Sequence, residues 1–272
     1  MPGSRSIKTL HVWQLLLFVG VLLFWYAATS PTLLPPIYFD DPHKAAFFFG
    51  EPLIVLSRVW DWFSSGTIYP HLWVTLVETA LAFIVGTVLG LVIGLWLALS
   101  STASALFDPY IKALNSMPRV ILAPIFGVWF GLDIASKVAL GVTLVFFIVF
   151  FNVYQGVREV SHTVLANARI LGASERQLLR HVYVPSAMSW VFASLHNSVG
   201  LAFVGAVVGE YLGSSRGVGY LILQAEGTFD INAVFAGIVV LTAFALLLDW
   251  AVSLAERRLL VWQPRSGETE KI

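Results

Sequence analysis

The sequence predicts an all-α membrane protein with six transmembrane helices. Composition is the first reason. Across 272 residues 58% are hydrophobic and only 12% charged, with mean hydropathy +0.81, whereas a soluble domain carries about 25% charged residues. The second reason is a series of apolar runs long enough to cross about 30 Å of hydrocarbon as helices. The third is a polar island at 155–181, holding Arg158, Glu159, Arg169, Glu175, Arg176 and Arg180, set between two such runs.

Composition also excludes. A net charge of zero gives no electrostatic case for nucleic acid. The absence of cysteine removes disulfides, thiolate metal sites and Cys nucleophiles. Six histidines without HxxxH or HExxH spacing offer no metal site. There is no GxxxxGK[ST] and no GxGxxG after a strand, so no ATP or dinucleotide site and no cofactor is expected.

Residues 10–29 carry no charge over 20 positions and follow Arg5 and Lys8. A cleaved signal peptide ending in the small residues Ala27–Ser30 is the alternative. The length of the run and the interfacial Trp25 and Tyr26 favour a retained helix. Residues 31–70 are an extracytoplasmic segment punctuated by Pro31, Pro35, Pro36, Pro42, Pro52 and Pro70. Within it Leu53, Leu56, Trp60 and Phe63 recur at helical spacing opposite Ser57, Arg58 and Asp61. That pattern is a short amphipathic helix, lying either on the membrane surface or on the protein's own outer face.

The second span is 71–99, with Gly86, Gly90 and Gly94 forming a ladder that admits a close neighbour. Glu78 near its outer end is expected to reach headgroup water. Residues 100–109 read as a turn. The third span, 110–131, is interrupted by Pro118 and Pro124, a break tolerated only where protein or water covers the backbone. The fourth is 134–154, with Asn152 near its end.

In the island Val160, Val164, Ala168 and Leu171 make one apolar helical stripe. Gly172 ends that helix, and Ser174 with Gln177 is a capping-box signature for a second. Pro185 stands at the entrance of the fifth span, 186–209, which holds His196 and Asn197. A loop at 210–231 carries Glu210, Gly217 and Gly219, and the sixth span is 232–255, interrupted by Asp249. A tail follows at 257–272.

Basic residues set the orientation. With both termini in the cytoplasm, eleven of the sixteen fall inside, and the island is cytoplasmic. Lys44, Arg58, Lys137 and Arg216 fall outside, and Arg119 is undecided. His196, Asn197 and Asn152 either line a substrate path, as intramembrane polar residues often do, or bond a neighbouring helix.

Ala166-Asn167-Ala168-Arg169-Ile170-Leu171-Gly172, then nine residues, then Val182-Tyr183-Val184-Pro185 resembles the EAA loop of bacterial ABC-importer permeases, E-A-A-x-x-x-G-x9-I-x-L-P. Ala168, Gly172 and Pro185 fit at the family's spacing. Ala166 and Asn167 depart from the usual Glu and Ala. Met117-Pro118 to Pro124, Trp129 to Asp133 with Ser136-Lys137, Glu210 with Arg216 to Tyr220, and Glu256-Arg257-Arg258-Leu259 with Trp262 are similar to the nitrate/sulfonate/taurine group. The resemblance covers about 70–265.

It implies a type I ABC importer permease fold over 71–256 in the inner membrane of a bacterium. It also implies two ATP-binding subunits, a second copy or a homologous permease, and an extracytoplasmic substrate-binding protein that holds most of the specificity. Ala166, Asn167, Ala168, Arg169, Gly172, Ala173, Ser174, Arg176 and Pro185 would couple to the ATPase. Glu210, Gly217 and Gly219 would shape the outer loop. The rival is a proton-coupled secondary transporter acting through Glu78, His196 or Asp249. That rival requires an internal repeat and paired ionisable residues at mid-depth, and neither is visible in the sequence. An enzyme would need a nucleophile, base or metal-ligand constellation, and none is present.

Overall fold

The computed structural model describes residues 4–30, 44–193 and 195–259. The proline-rich stretch expected at 31–43 and the tail from 260 lie outside these. Every regular element among the described residues is helical. In order they are α1 (Ser4–Thr29), α2 (Lys44–Phe49), α3 (Pro52–Ser64), α4 (Ile68–Leu99), α5 (Ser101–Ser116), α6 (Leu122–Phe130), α7 (Ile134–Arg158), α8 (His162–Ile170), α9 (Glu175–Leu178), α10 (Val184–Ala193), α11 (Leu195–Leu212), α12 (Val218–Gly227) and α13 (Ile231–Leu259).

Among the described residues four stretches are long and apolar enough to cross a membrane alone: Leu10–Thr29, Ile68–Leu99, Ile134–Arg158 and Ile231–Glu256. Two bent pairs bring the number to six with each taken as one span, the second of them bent where the sequence reads an unbroken run over 186–209. One joins Ser101–Ser116 to Arg119–Phe130 at 79°, and the other joins Glu175–Phe192 to His196–Leu212 at 59°.

The first bend is at Pro118, as the sequence predicts. Met117 is extended with ψ 134, the conformation that a following proline imposes. Arg119 Nη2 donates to the Asn115 carbonyl at 3.2 Å, answering one of the acceptors that the end of α5 leaves open. Its guanidinium lies 4.6 Å from the Phe147 ring centroid, a cation–π contact. Pro124 makes no break. It is the third residue of α6, where a helix needs no N–H.

Two expectations are corrected. Residues 100–109 are not a turn, because α5 begins at Ser101. The Ser100 hydroxyl accepts from the Ala103 N–H at 3.3 Å, so the serine-rich stretch acts as a helix cap rather than a loop. Residues 210–231 are not simply a loop either: α11 runs on to Leu212 and α12 fills 218–227.

The chain divides into two compact units. In the first, Met1–Tyr69 with Leu221–Leu241, α1 is exposed on all sides from Leu10 to Phe24. At its end Trp25 Nε1 donates to the Phe49 carbonyl at 3.0 Å, and its ring lies 5.6 Å from that of Phe235. The Glu51 N–H donates to Asn232 Oδ1 at 2.7 Å, and Arg58 pairs with Asp230 at 2.9 Å.

The second unit, Pro70–Tyr220 with Thr242–Ile272, is organised around α7. The glycine ladder of α4 meets a valine ladder on α7. A Cβ on Gly86, Gly90 or Gly94 would sit 2.7, 2.8 or 3.0 Å from the Cβ of Val145, Val149 or Val153 respectively. These valines are core residues. On the other flank Gly205 of α11 abuts the backbone of Gly141 and Gly209 abuts Lys137. Further along, Gly156 is covered by Trp190 of α10. Lipid tails are as apolar as the side chains, so such contacts hold by close van der Waals packing rather than by expulsion of water.

Gly90→Ala is therefore expected to cost about 1–3 kcal/mol by overpacking, while Gly20→Ala, with nothing within 4 Å of its Cβ position, is neutral or gains up to about 1 kcal/mol in helix propensity. Thermal unfolding of the two purified variants in detergent checks the contrast. Equal melting temperatures would remove the ladder from the account.

Candidate functional site

The polar island is an excursion with a fastened base and an open tip. At the base the Ser186 hydroxyl donates to the Gly156 carbonyl at 2.8 Å, and Trp190 fills the space a Gly156 side chain would need. From there α8 runs outward to the tip. Its end is a Schellman motif: the Gly172 N–H donates to the Arg169 carbonyl at 2.9 Å and the Ala173 N–H to the Ala168 carbonyl at 3.0 Å. Gly172 has φ +81, the left-handed conformation in which a side chain is strained.

The next residue opens α9. Ser174 Oγ accepts from the Gln177 N–H at 3.3 Å, and Gln177 Oε1 accepts from the Ser174 N–H at 2.8 Å. This is the predicted capping box, both bonds made. A π turn at Leu179–Tyr183 then leads into α10, so Pro185 enters the helix next to a widened turn that spares its ring the usual clash.

The expected apolar stripe is not buried within the chain. Val164 is exposed, and at the tip Ile170 and Leu171 are 82% and 86% exposed. Ala166 and Asn167 are also exposed, and Ala168 is half-buried. Arg169 makes an open ion pair with Glu175 at 3.6 Å, and Arg176 faces outward. A cleft of about 240 Å³ runs between the end of α8 and α9, bordered by Leu171, Gly172, Gln177 and His181.

The structure does not bring the three residues expected along a substrate path together. His196 lies between two carboxylates of α13, with Nδ1 2.8 Å from Asp249 Oδ1 and Nε2 2.8 Å from Glu256 Oε2. This is the helix-bonding alternative. The adjoining cavity, between Phe203 and Leu248, measures about 50 Å³, room for a water or two. Asn152 turns its amide back to the Ile148 carbonyl at 2.8 Å, and Asn197 is exposed.

At the far end of this unit Glu210 is fully buried. It accepts from Thr75 Oγ1 at 2.6 Å and from the Gly219 N–H at 2.7 Å. Thr75 Oγ1 accepts in turn from the Val218 N–H at 3.2 Å. Gly217 and His71 are joined through backbone and ring, at 3.0 and 3.1 Å. Gly217 has φ +106, and a Cβ there would strike the Glu210 carboxyl. Glu78 is 1% exposed and lies beside Glu210, so it does not reach headgroup water. Lys137 is equally buried, donates to the carbonyls of Leu132 and Asp133, and lies within coulombic reach of both glutamates. Long-range pairing of this kind has no local sequence signal. Only the presence of charge in apolar runs marks these residues.

A family model described as "Binding-protein-dependent transport system inner membrane component" matches residues 86–261. The chain belongs to this family of transport permeases. The permease is 32% identical over 252 residues to a putative aliphatic sulfonates transport permease of Bacillus subtilis, covering 93% of this chain and 83% of that one. It is also 32% identical to a formylaminopyrimidine transport permease of Halalkalibacterium halodurans, over 88% of this chain and 98% of that one. A solved structure of the MetNI methionine ABC transporter, in an inward-facing conformation, superposes with TM-score 0.60 at 19% identity, over 69% of this permease and 94% of that chain. The fold is that of type I ABC importer permeases.

Removing the Glu210 carboxylate leaves the buried Gly219 N–H short of a partner, at about 1–3 kcal/mol, while the Thr75 hydroxyl still has the His71 carbonyl at 3.1 Å. Glu210→Ala is expected to lower the melting temperature in detergent markedly, and Glu210→Gln, which retains one carbonyl acceptor, to lower it less. An unchanged melting temperature for Glu210→Ala would show that the cluster carries no stability.

Proposed function

We propose that this permease is the pore-forming subunit of an ATP-driven importer, and that it moves a small solute of the sulfonate or taurine kind inward across the cytoplasmic membrane. The observation that carries the coupling reading is the tip of the polar excursion. Ile170 and Leu171 are bare on a corner closed by the Schellman motif and the capping box. Covering each such side chain is worth about 1.5–3 kcal/mol, so a groove that fits them binds the corner well.

Two separate ATP-binding subunits would supply that groove and the hydrolysis. Ala168, Gly172, Ala173, Ser174 and Pro185 shape the lever of 155–185. Arg169, Arg176, Ala166 and Asn167 face the partner, the last two where the usual pattern has Glu and Ala. Docking that differs between nucleotide states biases inward- against outward-facing packing. The excess of basic residues supports cytoplasmic termini and a cytoplasmic lever. A second copy, or a homologous permease, completes the pore, and an extracytoplasmic binding protein delivers the solute. The sulfonate relative favours an anion. A formylaminopyrimidine relative at the same identity supports a reading in which that binding protein carries much of the choice of solute.

A second reading has an observation in its favour. His196 with Asp249 and Glu256, and Glu78 with Glu210 and Lys137, are the paired ionisable groups a proton-coupled transporter needs, and they are invisible in the linear sequence. Proteoliposomes holding the permease alone separate the two readings. Solute uptake driven by a pH gradient without ATPase would overturn the ATP-driven one.

Gly172→Asp is expected to abolish co-purification of the ATPase while leaving membrane insertion intact. The paired change Ile170→Ser with Leu171→Ser is expected to weaken it at least tenfold, since about 1.4 kcal/mol of lost burial is a factor of ten. Undiminished co-purification with both variants would count against the lever.

A further inference from the structure

The short helix α3 has a face that none of the described residues covers, and the contacts around it fix its depth. At 3.6 residues per turn its thirteen residues fall into three sectors. Pro52 and Val55 are buried, with Val59 and Trp62 half-buried beside them. About a quarter-turn or more around the axis lie Leu53, Leu56, Trp60 and Phe63, with Leu53 64%, Leu56 59% and Trp60 73% exposed. Beyond those come the exposed Ser57, Asp61 and Ser64, with Ile54 the one apolar residue on that side. A soluble helix has two sectors, one for the core and one for water. The third, apolar yet exposed, lies between them here.

Three bonds hold α3 at the ends of two membrane-crossing stretches. Trp25, in the last turns of α1, donates to the Phe49 carbonyl, two residues before the Glu51 N-cap of α3. The Glu51 N–H donates to Asn232, the second residue of α13. Arg58, about two turns further on, pairs with Asp230, the residue before α13. Glu51 and Arg58 are thus about 10 Å apart along α3 yet reach the same end of α13, so α3 lies across that end rather than extending it. The apolar stretch of α1 stops at Thr29 and that of α13 starts at Ile231. The level of α3 is therefore the level at which hydrocarbon gives way to headgroups.

We infer that α3 is an in-plane anchor whose Leu53–Leu56–Trp60–Phe63 face lies in the headgroup–acyl boundary of the leaflet where α1 ends. On the proposed topology this is the outer leaflet. Helices with such a face settle about 5–10 Å into that boundary, and tryptophan is favoured at that depth. The buried sector clamps the helix to the protein, the apolar sector takes lipid, and Ser57, Asp61 and Ser64 meet water. Exposed Phe47 and Phe49 of the preceding α2 add to the apolar surface at the same end.

The chain has no cysteine, so single labelling sites can be introduced on an otherwise unmodified background. Full-length L56C, W60C, S57C and D61C proteins, each carrying an environment-sensitive fluorophore, would be reconstituted in phosphatidylethanolamine–phosphatidylglycerol vesicles. Lipids with a nitroxide near the headgroup end of the acyl chain are expected to quench the labels at 56 and 60 several-fold more than those at 57 and 61. Aqueous iodide is expected to give the reverse order. Iodide access at 56 and 60 equal to that at 57 would overturn the inference. So would labels at 56 and 60 shielded from both quenchers, which would mean that protein covers the face. So would shielding that arises only on adding a soluble binding protein, which would make the face a protein-docking surface.

Discussion

The close approach of α4 and α11 to α7 is the constraint on which the second unit depends. A glycine on α4 faces each of three successive inward valines of α7, and on the opposite flank Gly205 and Gly209 do the same against Gly141 and Lys137. Helices this close leave no space for a single methyl group. The arrangement fixes the register of three long helices at once, because sliding any of them by one residue puts a side chain where only hydrogen fits. It also decides where the buried charges meet. Glu78 and Thr75 on α4, Lys137 on α7 and Glu210 on α11 share one pocket because the ladders hold their helices in that register.

How much was legible follows from how local each signal is. The Pro118 break, the Gly172 stop and the Ser174 cap each depend on residues within a few positions of one another, and each appears where the sequence places it; the third span instead begins at Ser101, and the fifth is bent between Phe192 and His196. The glycine ladder announced a close neighbour but not which one, since a helix face carries no address. Ser100 was misread because a run of small hydroxyl residues suits a turn and a cap equally, and only the backbone geometry decides between them. Residues 210–231 were misread because Gly217 and Gly219 look like loop residues. They are small because the Glu210 carboxyl occupies the space beside them, a contact nine residues away for Gly219 and invisible to periodicity.

The candidate site was legible in outline only. Position 172 and the cap after it were legible, but the stripe of Val160, Val164, Ala168 and Leu171 did not say what would cover it, and within the chain Val164 and Leu171 stay exposed. His196 was visible as a polar residue in an apolar run. Its partners lie 53 and 60 residues away, and no property of the run predicts them. Glu78 shows the general limit. A carboxylate near a helix end suggests contact with water, and only the third dimension supplies Glu210 and Lys137 to keep it inside.

The corner at Gly172 has a mechanical consequence. The 6→1 and 5→2 bonds on one side and the reciprocal serine–glutamine bonds on the other leave little slack between two helices separated by four residues. Such a joint behaves as a crank rather than a tether. On the proposed coupling role, a load applied at Ile170 and Leu171 would pass through this corner to the seam where Ser186 and Trp190 meet Gly156. On that role, yielding would fall to the 79° bend at Pro118, where the extended Met117 already interrupts the helix.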